Sequence, residues 1–121
     1  MHRELGPGFI ESVYEKALVV ELRQRGLNVA EQVEIPVMYK GVQVGKHRLD
    51  LLINRTIVVE LKAVKAFENV HFAVVKSYLH ALGKEHGLLL NFAKTTLEVK
   101  RVIYLDQDRP RGFLRGKMVS N

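Results

Sequence analysis

Cysteine and tryptophan are both missing from the 121 residues, and proline occurs only three times. Without cysteine there is neither a disulfide nor a thiolate metal centre, so any bound metal must be held by oxygen or nitrogen donors. No apolar run approaches the roughly 18–20 residues that span a bilayer, so no transmembrane helix is expected. Met1-His2-Arg3-Glu4 leads into glycine and polar residues rather than an apolar leader. That start reads as no secretory signal and implies a cytoplasmic protein. Acids are the minority charge: 13 Asp and Glu against 19 Lys and Arg give a net charge of +6. A basic surface of this kind favours polyanions, nucleic acid foremost, through counterion release.

What remains is ordinary for a single globular domain: 47% hydrophobic and 26% charged residues, with no internal repeat or linker. Ile10, Val13, Tyr14, Ala17, Leu18 and Leu22 recur at helical spacing, which predicts a helix over about residues 8–25, stopped by Gly26. Residues 28–40 read as a strand with Val33, Ile35 and Val37 on one face and Pro36 marking an edge or irregularity. Lys40-Gly41 turns the chain into a second strand over 42–53 and, past Asn54-Arg55-Thr56, a third over 57–63. Phe67, Val70, His71, Val74, Val75, Tyr78, Leu79 and Leu82 outline a second helix ended by Gly83. Residues 87–92 are short and apolar, as in a strand covered on both faces, and 96–105 alternate as a last strand. The order is α-β-β-β-α-β-β, an α/β domain over residues 1–105 with a mixed central sheet flanked by helices. The crossover through the second helix makes the third and fourth strands parallel. Residues 106–121, with Arg109, Arg111, Arg115 and Lys117, read as a basic mobile tail.

Three charges break this apolar pattern. Asp50, Glu60 and Lys62 sit in segments that otherwise read as buried strands, and burying charge costs several kcal/mol unless it is paired or bound to metal. Glu60 and Lys62, two apart on a strand, share a face. Whether Asp50 joins them depends on the hairpin register. A two-residue turn at Asn54-Arg55 places Asp50 on the wrong face; an odd-length connection centred on Arg55 places it opposite Glu60. A three- or five-residue connection, or a bulge near Asp50, is therefore predicted. Two carboxylates so placed, with the Leu61 carbonyl, suit Mg²⁺ or Mn²⁺. Lys62 could then orient a water or offset charge developing on a phosphodiester. Glu11, on the border of the first helix's stripe, is a fourth candidate. The same spacing also fits a structural Asp50–Lys62 ion pair beside a solvated Glu60.

The wider pattern shifts the balance between them. Gly8-Phe9-Ile10-Glu11-Ser12-Val13-Tyr14 reads G-x-x-E-x-x-Y. With Asp50, Glu60-Leu61-Lys62 and Gly87-Leu88-Leu89-Leu90-Asn91-Phe92, it resembles the small GxxExxY proteins of the PD-(D/E)xK nuclease-like superfamily. The resemblance implies a restriction-endonuclease-like α-β-β-β-α-β core and a Mg²⁺-dependent nuclease acting on nucleic acid, DNA before RNA. It matches Asp50, Glu60 and Glu11 to metal-binding acids and Lys62 to the catalytic lysine. Many such nucleases act as homodimers. Two departures stand out. Val74 occupies a position where relatives carry glutamine, which keeps open a non-catalytic module that binds nucleic acid or a partner. Relatives also begin a helix well before the residues matching His2–Gly6, so the chain reads as N-terminally shortened.

Arg48, Lys65, Lys94 and Arg101 are candidate phosphate contacts if they line the side of Asp50. His71 reads as a core histidine bonded to backbone, Tyr14 and Tyr78 as core rings with hydroxyls near the site, and Asn91 as satisfying backbone groups.

Overall fold

Two stretches of branched and leucine-rich sequence, Ile57–Lys62 (β3) and His86–Asn91 (β4), form the parallel centre of a five-stranded sheet. The structure, a computed structural model, describes residues 1–108. Strands follow one another in chain order: Val29–Tyr39 (β1), Val42–Ile53 (β2), β3, β4 and Glu98–Ile103 (β5). All neighbours are antiparallel except β3 and β4, which are joined through a helix at Asn69–Leu82 (α3). A single turn at His2–Leu5 (α1) and a longer helix at Glu11–Gln24 (α2) precede the sheet. Of the predicted tail, residues 106–108 form a 3₁₀ turn, and the rest lies outside the described residues.

The sheet carries an apolar layer on each face. Tyr14, Leu18, Val19 and Leu22 of α2 pack on Leu51, Val59, Leu61, Leu90 and Phe92. Val75, Tyr78 and Leu79 of α3 pack on Leu49, Val58, Leu89 and Val102. Gly87 is needed for the second contact: a Cβ there would stand 2.7 Å from Val75 Cγ1. Gly83, at φ 69°, supplies the left-handed residue that ends α3. His71 helps to start that helix, its Nδ1 accepting the Glu68 N–H at 2.8 Å.

The helix expected from residue 8 starts at Glu11 instead. Gly6 and Gly8 adopt φ of 73° and 109°, and the buried Tyr14 hydroxyl donates to Gly6 O while accepting the Phe9 N–H. That knot holds residues 6–9 as a loop, and it leaves Ile10 and Val13 exposed rather than on the buried stripe.

The β2–β3 connection has the predicted odd length. Ile53 pairs with Ile57, leaving Asn54, Arg55 and Thr56 in the turn, with Asn54 and Arg55 left-handed at φ 51° and 58°. A second irregularity lies at Asp50, where the sequence allowed a bulge but gave no sign of a change of face. Leu49 and Leu51 have the same parity on β2 yet pack in opposite apolar layers, and so do Val29 and Val33 on β1. Both strands change face at one step, Gln32 and Asp50, where the β1–β2 ladder skips a pair and Gln32 takes φ 50°.

Candidate active site

Side chains replace backbone where β2 and β3 part. Their ladder runs from Ile53–Ile57 to Leu51–Val59 and stops. Beyond it, Asp50 Oδ2 accepts the Leu61 N–H at 2.8 Å, and Glu60 Oε1 accepts the Asp50 N–H at 3.3 Å. Each carboxylate therefore spends one oxygen on the opposite strand and holds the other only by a long contact. Asp50 Oδ1 has only a long 3.4 Å contact from Gln32, and Glu60 Oε2 lies 4.0 Å from Lys62 Nζ. The ion pair of this cluster is thus Lys62 with Glu60, and Glu60 is buried at 5% exposure, not solvated.

Glu11, in the first turn of α2, reaches across the sheet end to accept the Ala63 N–H at 3.1 Å. Fully buried Asn91, level with Lys62 on the parallel neighbour, ties down the chain just past β3. Its Oδ1 accepts the Val64 and Ala93 N–H groups and its Nδ2 donates to Val64 O. Tyr78 comes from the other side, with its hydroxyl 3.5 Å from Arg48 O.

Two further residues reach the cluster. Glu15 lies one helical turn after Glu11 and is buried at 8% exposure. Gln32 Nε2 donates to both of its carboxylate oxygens at 2.8 Å. A buried acid four residues from Glu11 was a usable signal, since i and i+4 share a helix face. Gln32 had none: in an alternating strand it reads as solvent-facing, and its backbone conformation leaves no trace in sequence.

Crowding of acids away from water dominates the electrostatics. Burial, then the neighbouring Asp50 carboxylate, pushes Glu60 up to about 8 against the opposing effect of the Asp50 N–H and Lys62. Asp50 is raised chiefly by burial, opposed by the Leu61 N–H and Gln32. Glu15 is raised by burial, opposed by Gln32. Tyr78 is raised to about 12, by burial and then by Glu60 and Asp50. Negative charge here is under-compensated, a condition a bound cation relieves. The donors are hard oxygens from carboxylates, the set Mg²⁺ and Mn²⁺ prefer. Among the described residues no three Asp, Glu or His side chains close around a common point. An ion would therefore be held by few protein ligands with water completing its shell.

Lys65 and Lys94 are exposed just beyond the ends of β3 and β4, at the same end of the sheet as Lys62 and Asn91. Lys94 lies 3.9 Å from Glu98. Arg48, on β2 two residues before Asp50, is held at 3.1 Å by Glu34. Arg101 is placed elsewhere, pairing mid-strand with Leu88 and lining a cleft of about 480 Å³ with Asn69, Phe72 and Lys76. Val74 packs on the apolar layer beneath α3.

A mixed five-stranded sheet between helices, with two acids and a lysine where β2 and β3 part, defines a restriction-endonuclease-like α/β protein. The sequence model of the PD-(D/E)XK nuclease superfamily matches residues 1–102, and the chain belongs to that superfamily. The crystal structure of SSO0001 is similar in fold, with a TM-score of 0.61 and 21% identity over 79% of this chain and 51% of that one. The chain thus spans about half the length of that protein. No curated protein sequence matches. Among the described residues no helix is long and apolar enough to cross a membrane.

Proposed function

We propose that residues 1–105 form a nuclease domain of the GxxExxY type that hydrolyses phosphodiester bonds of nucleic acid, DNA in the first instance, with Mg²⁺ or Mn²⁺. The observation that carries this reading is the pair of loosely held carboxylate oxygens on Asp50 and Glu60, both acids raised by burial, beside Lys62. Asp50 and Glu60 would hold the ion, with Glu11 at the rim giving up its Ala63 contact to join them. When bound, the ion polarises a phosphoryl oxygen and lowers the pKa of water.

The chain's own groups do the rest. Lys62 opposes the upward pull of burial and Asp50 on Glu60, and places a positive charge where negative charge develops on the phosphorus centre. Asn91 fixes the 63–64 backbone, and with it the end of β3 that carries Lys62. Lys65 and Lys94, at the same sheet end, and Arg48 would steer the substrate backbone; Arg101 would reach only a strand that wraps past β5.

The test is cleavage of labelled single-stranded, duplex and branched DNA with millimolar Mg²⁺ or Mn²⁺, set against Glu60→Ala. Loss of cutting in the variant supports the reading. Retarded migration of DNA with no cutting by the parent would instead favour the non-catalytic binding module that Val74 suggests.

A further inference from the structure

Gln32 is where the fold spends conformational energy without an evident packing reward. It is exposed, it is not glycine, and it stands at φ 50° in the middle of a strand. A left-handed backbone costs a residue with a Cβ roughly 1–2 kcal/mol. The turn residues Asn54 and Arg55 have an obvious reason for the same conformation; Gln32 has no turn to make. What its conformation does is break the β1–β2 ladder at the Gln32–Asp50 step, and the faces of both strands reverse there.

The result is a side-chain bridge. Gln32 Nε2 is held by both oxygens of buried Glu15 at 2.8 Å, and the same nitrogen lies 3.4 Å from Asp50 Oδ1. Asp50 Oδ2 is meanwhile held by the Leu61 N–H. The Asp50 carboxylate is thus gripped firmly at one oxygen and lightly at the other, with the lightly held oxygen facing a carboxamide anchored to α2. Among the described residues, the Glu15 carboxylate accepts its hydrogen bonds from this amide and from no backbone group of the sheet.

We infer that Gln32 is a positioning residue: anchored by Glu15, its carboxamide sets the orientation of the Asp50 carboxylate and keeps Oδ1 aimed for a cation. The geometric part stands by itself, and only the consequence for metal rests on the nuclease reading. Groups that orient a metal-ligating carboxylate typically change metal affinity 10–100-fold when removed.

Gln32→Gly is the informative variant, because glycine adopts φ 50° without penalty while deleting the carboxamide. Two readouts apply to the full chain. The first is metal-free amide exchange by NMR. The Leu61 N–H, whose acceptor is Asp50, should exchange about tenfold faster in Gln32→Gly, while the Leu89 and Leu90 amides of β4 keep their protection. The second is calorimetric Mn²⁺ titration, where the Kd should rise roughly 10–100-fold. Glu15→Gln, which keeps one of the two hydrogen bonds to Gln32, should move both readouts the same way by less. Added to Gln32→Gly, it should have no further effect, because the two act in series. An unchanged Leu61 amide in folded Gln32→Gly overturns the positioning role. If the parent binds no Mn²⁺ at millimolar concentration, the nuclease reading falls and the Leu61 amide alone decides Gln32. Should Gln32→Gly fail to fold, Gln32→Asn tolerates the left-handed backbone, stops one methylene short of Glu15, and gives the same two readouts.

Discussion

Asp50 and Glu60 sit on different strands and each does the work of the other strand's missing backbone. The Asp50 N–H donates to the Glu60 side chain, and the Asp50 side chain accepts from Leu61, the residue after Glu60. The separation of β2 from β3 and the meeting of the two acids are one structural event. Substitutions at these positions therefore report on strand pairing as well as on any bound ion.

Glu60, held at about 8 in the fold, has an ordinary carboxylate pKa of roughly 4.3 when unfolded. The folded state therefore binds the extra proton between these values. Its stabilising effect is full below about pH 4 and is lost as pH rises through 8. Metal-free protein should melt at lower temperature at pH 8.5 than at pH 6, and Glu60→Gln should flatten that slope. At pH 8.5 the variant should melt roughly 5 °C or more above the parent in EDTA. Millimolar Mn²⁺ should close the gap by raising the parent. A parent slope identical to the variant's would refute the assignment.

Lys62 is the near cation of the acid pair, at 4.0 Å from Glu60 Oε2. Lys62→Met keeps the length of the side chain and removes its charge. Cleavage should fall by about 10²–10⁴-fold, while Mn²⁺ binding holds or tightens because a repelling charge has gone. Weaker Mn²⁺ binding would place Lys62 in a structural role instead.

Asn91 is fully buried and bonded on both sides to backbone beyond β3. Asn91→Leu strands the Val64 N–H and C=O without partners. The cost should be roughly 2–3 kcal/mol in urea unfolding, with exchange of the Val64 amide accelerated most. Loss below about 0.5 kcal/mol would mean water replaces the amide at little cost.

Gly87→Ala drives a methyl into Val75 Cγ1 at 2.7 Å and brings it within 3.3 Å of Val58 O. We expect a loss of about 1–3 kcal/mol. Val75→Ala should recover part of it in the double variant, giving a clear coupling energy in urea unfolding. Additive losses would show that the helix, rather than this one side chain, sets the limit.

Much of the architecture could be read from apolar periodicity and glycine placement. The helix at α3, the β3–α3–β4 crossover and the five strands are where alternation and 3.6-residue spacing put them, because burial on one or two faces imposes those periods. Even the odd hairpin connection followed from requiring Asp50 and Glu60 to share a site, and Asn54-Arg55-Thr56 satisfies it. The start of α2 was misplaced because Tyr14 and two left-handed glycines hold residues 6–9 off the helix. That tie is between side chain and backbone, outside any periodic signal.

Side-chain chemistry and order along the chain settled most of the core, though not Ile10, Val13 and Val70, which are exposed, as well as which strands are parallel and that Asp50 and Glu60 are out of place among apolar neighbours. These follow from transfer free energies and local geometry, which each residue carries with it. Only tertiary structure decided that Glu15 and Gln32 belong with Asp50, that Lys62 pairs with Glu60, and that Arg101 lines a different cleft. Those outcomes depend on a reversal of strand faces at Gln32–Asp50 and on the seating of α2 against the sheet. Both are set by many packed contacts acting together, and no single residue announces them.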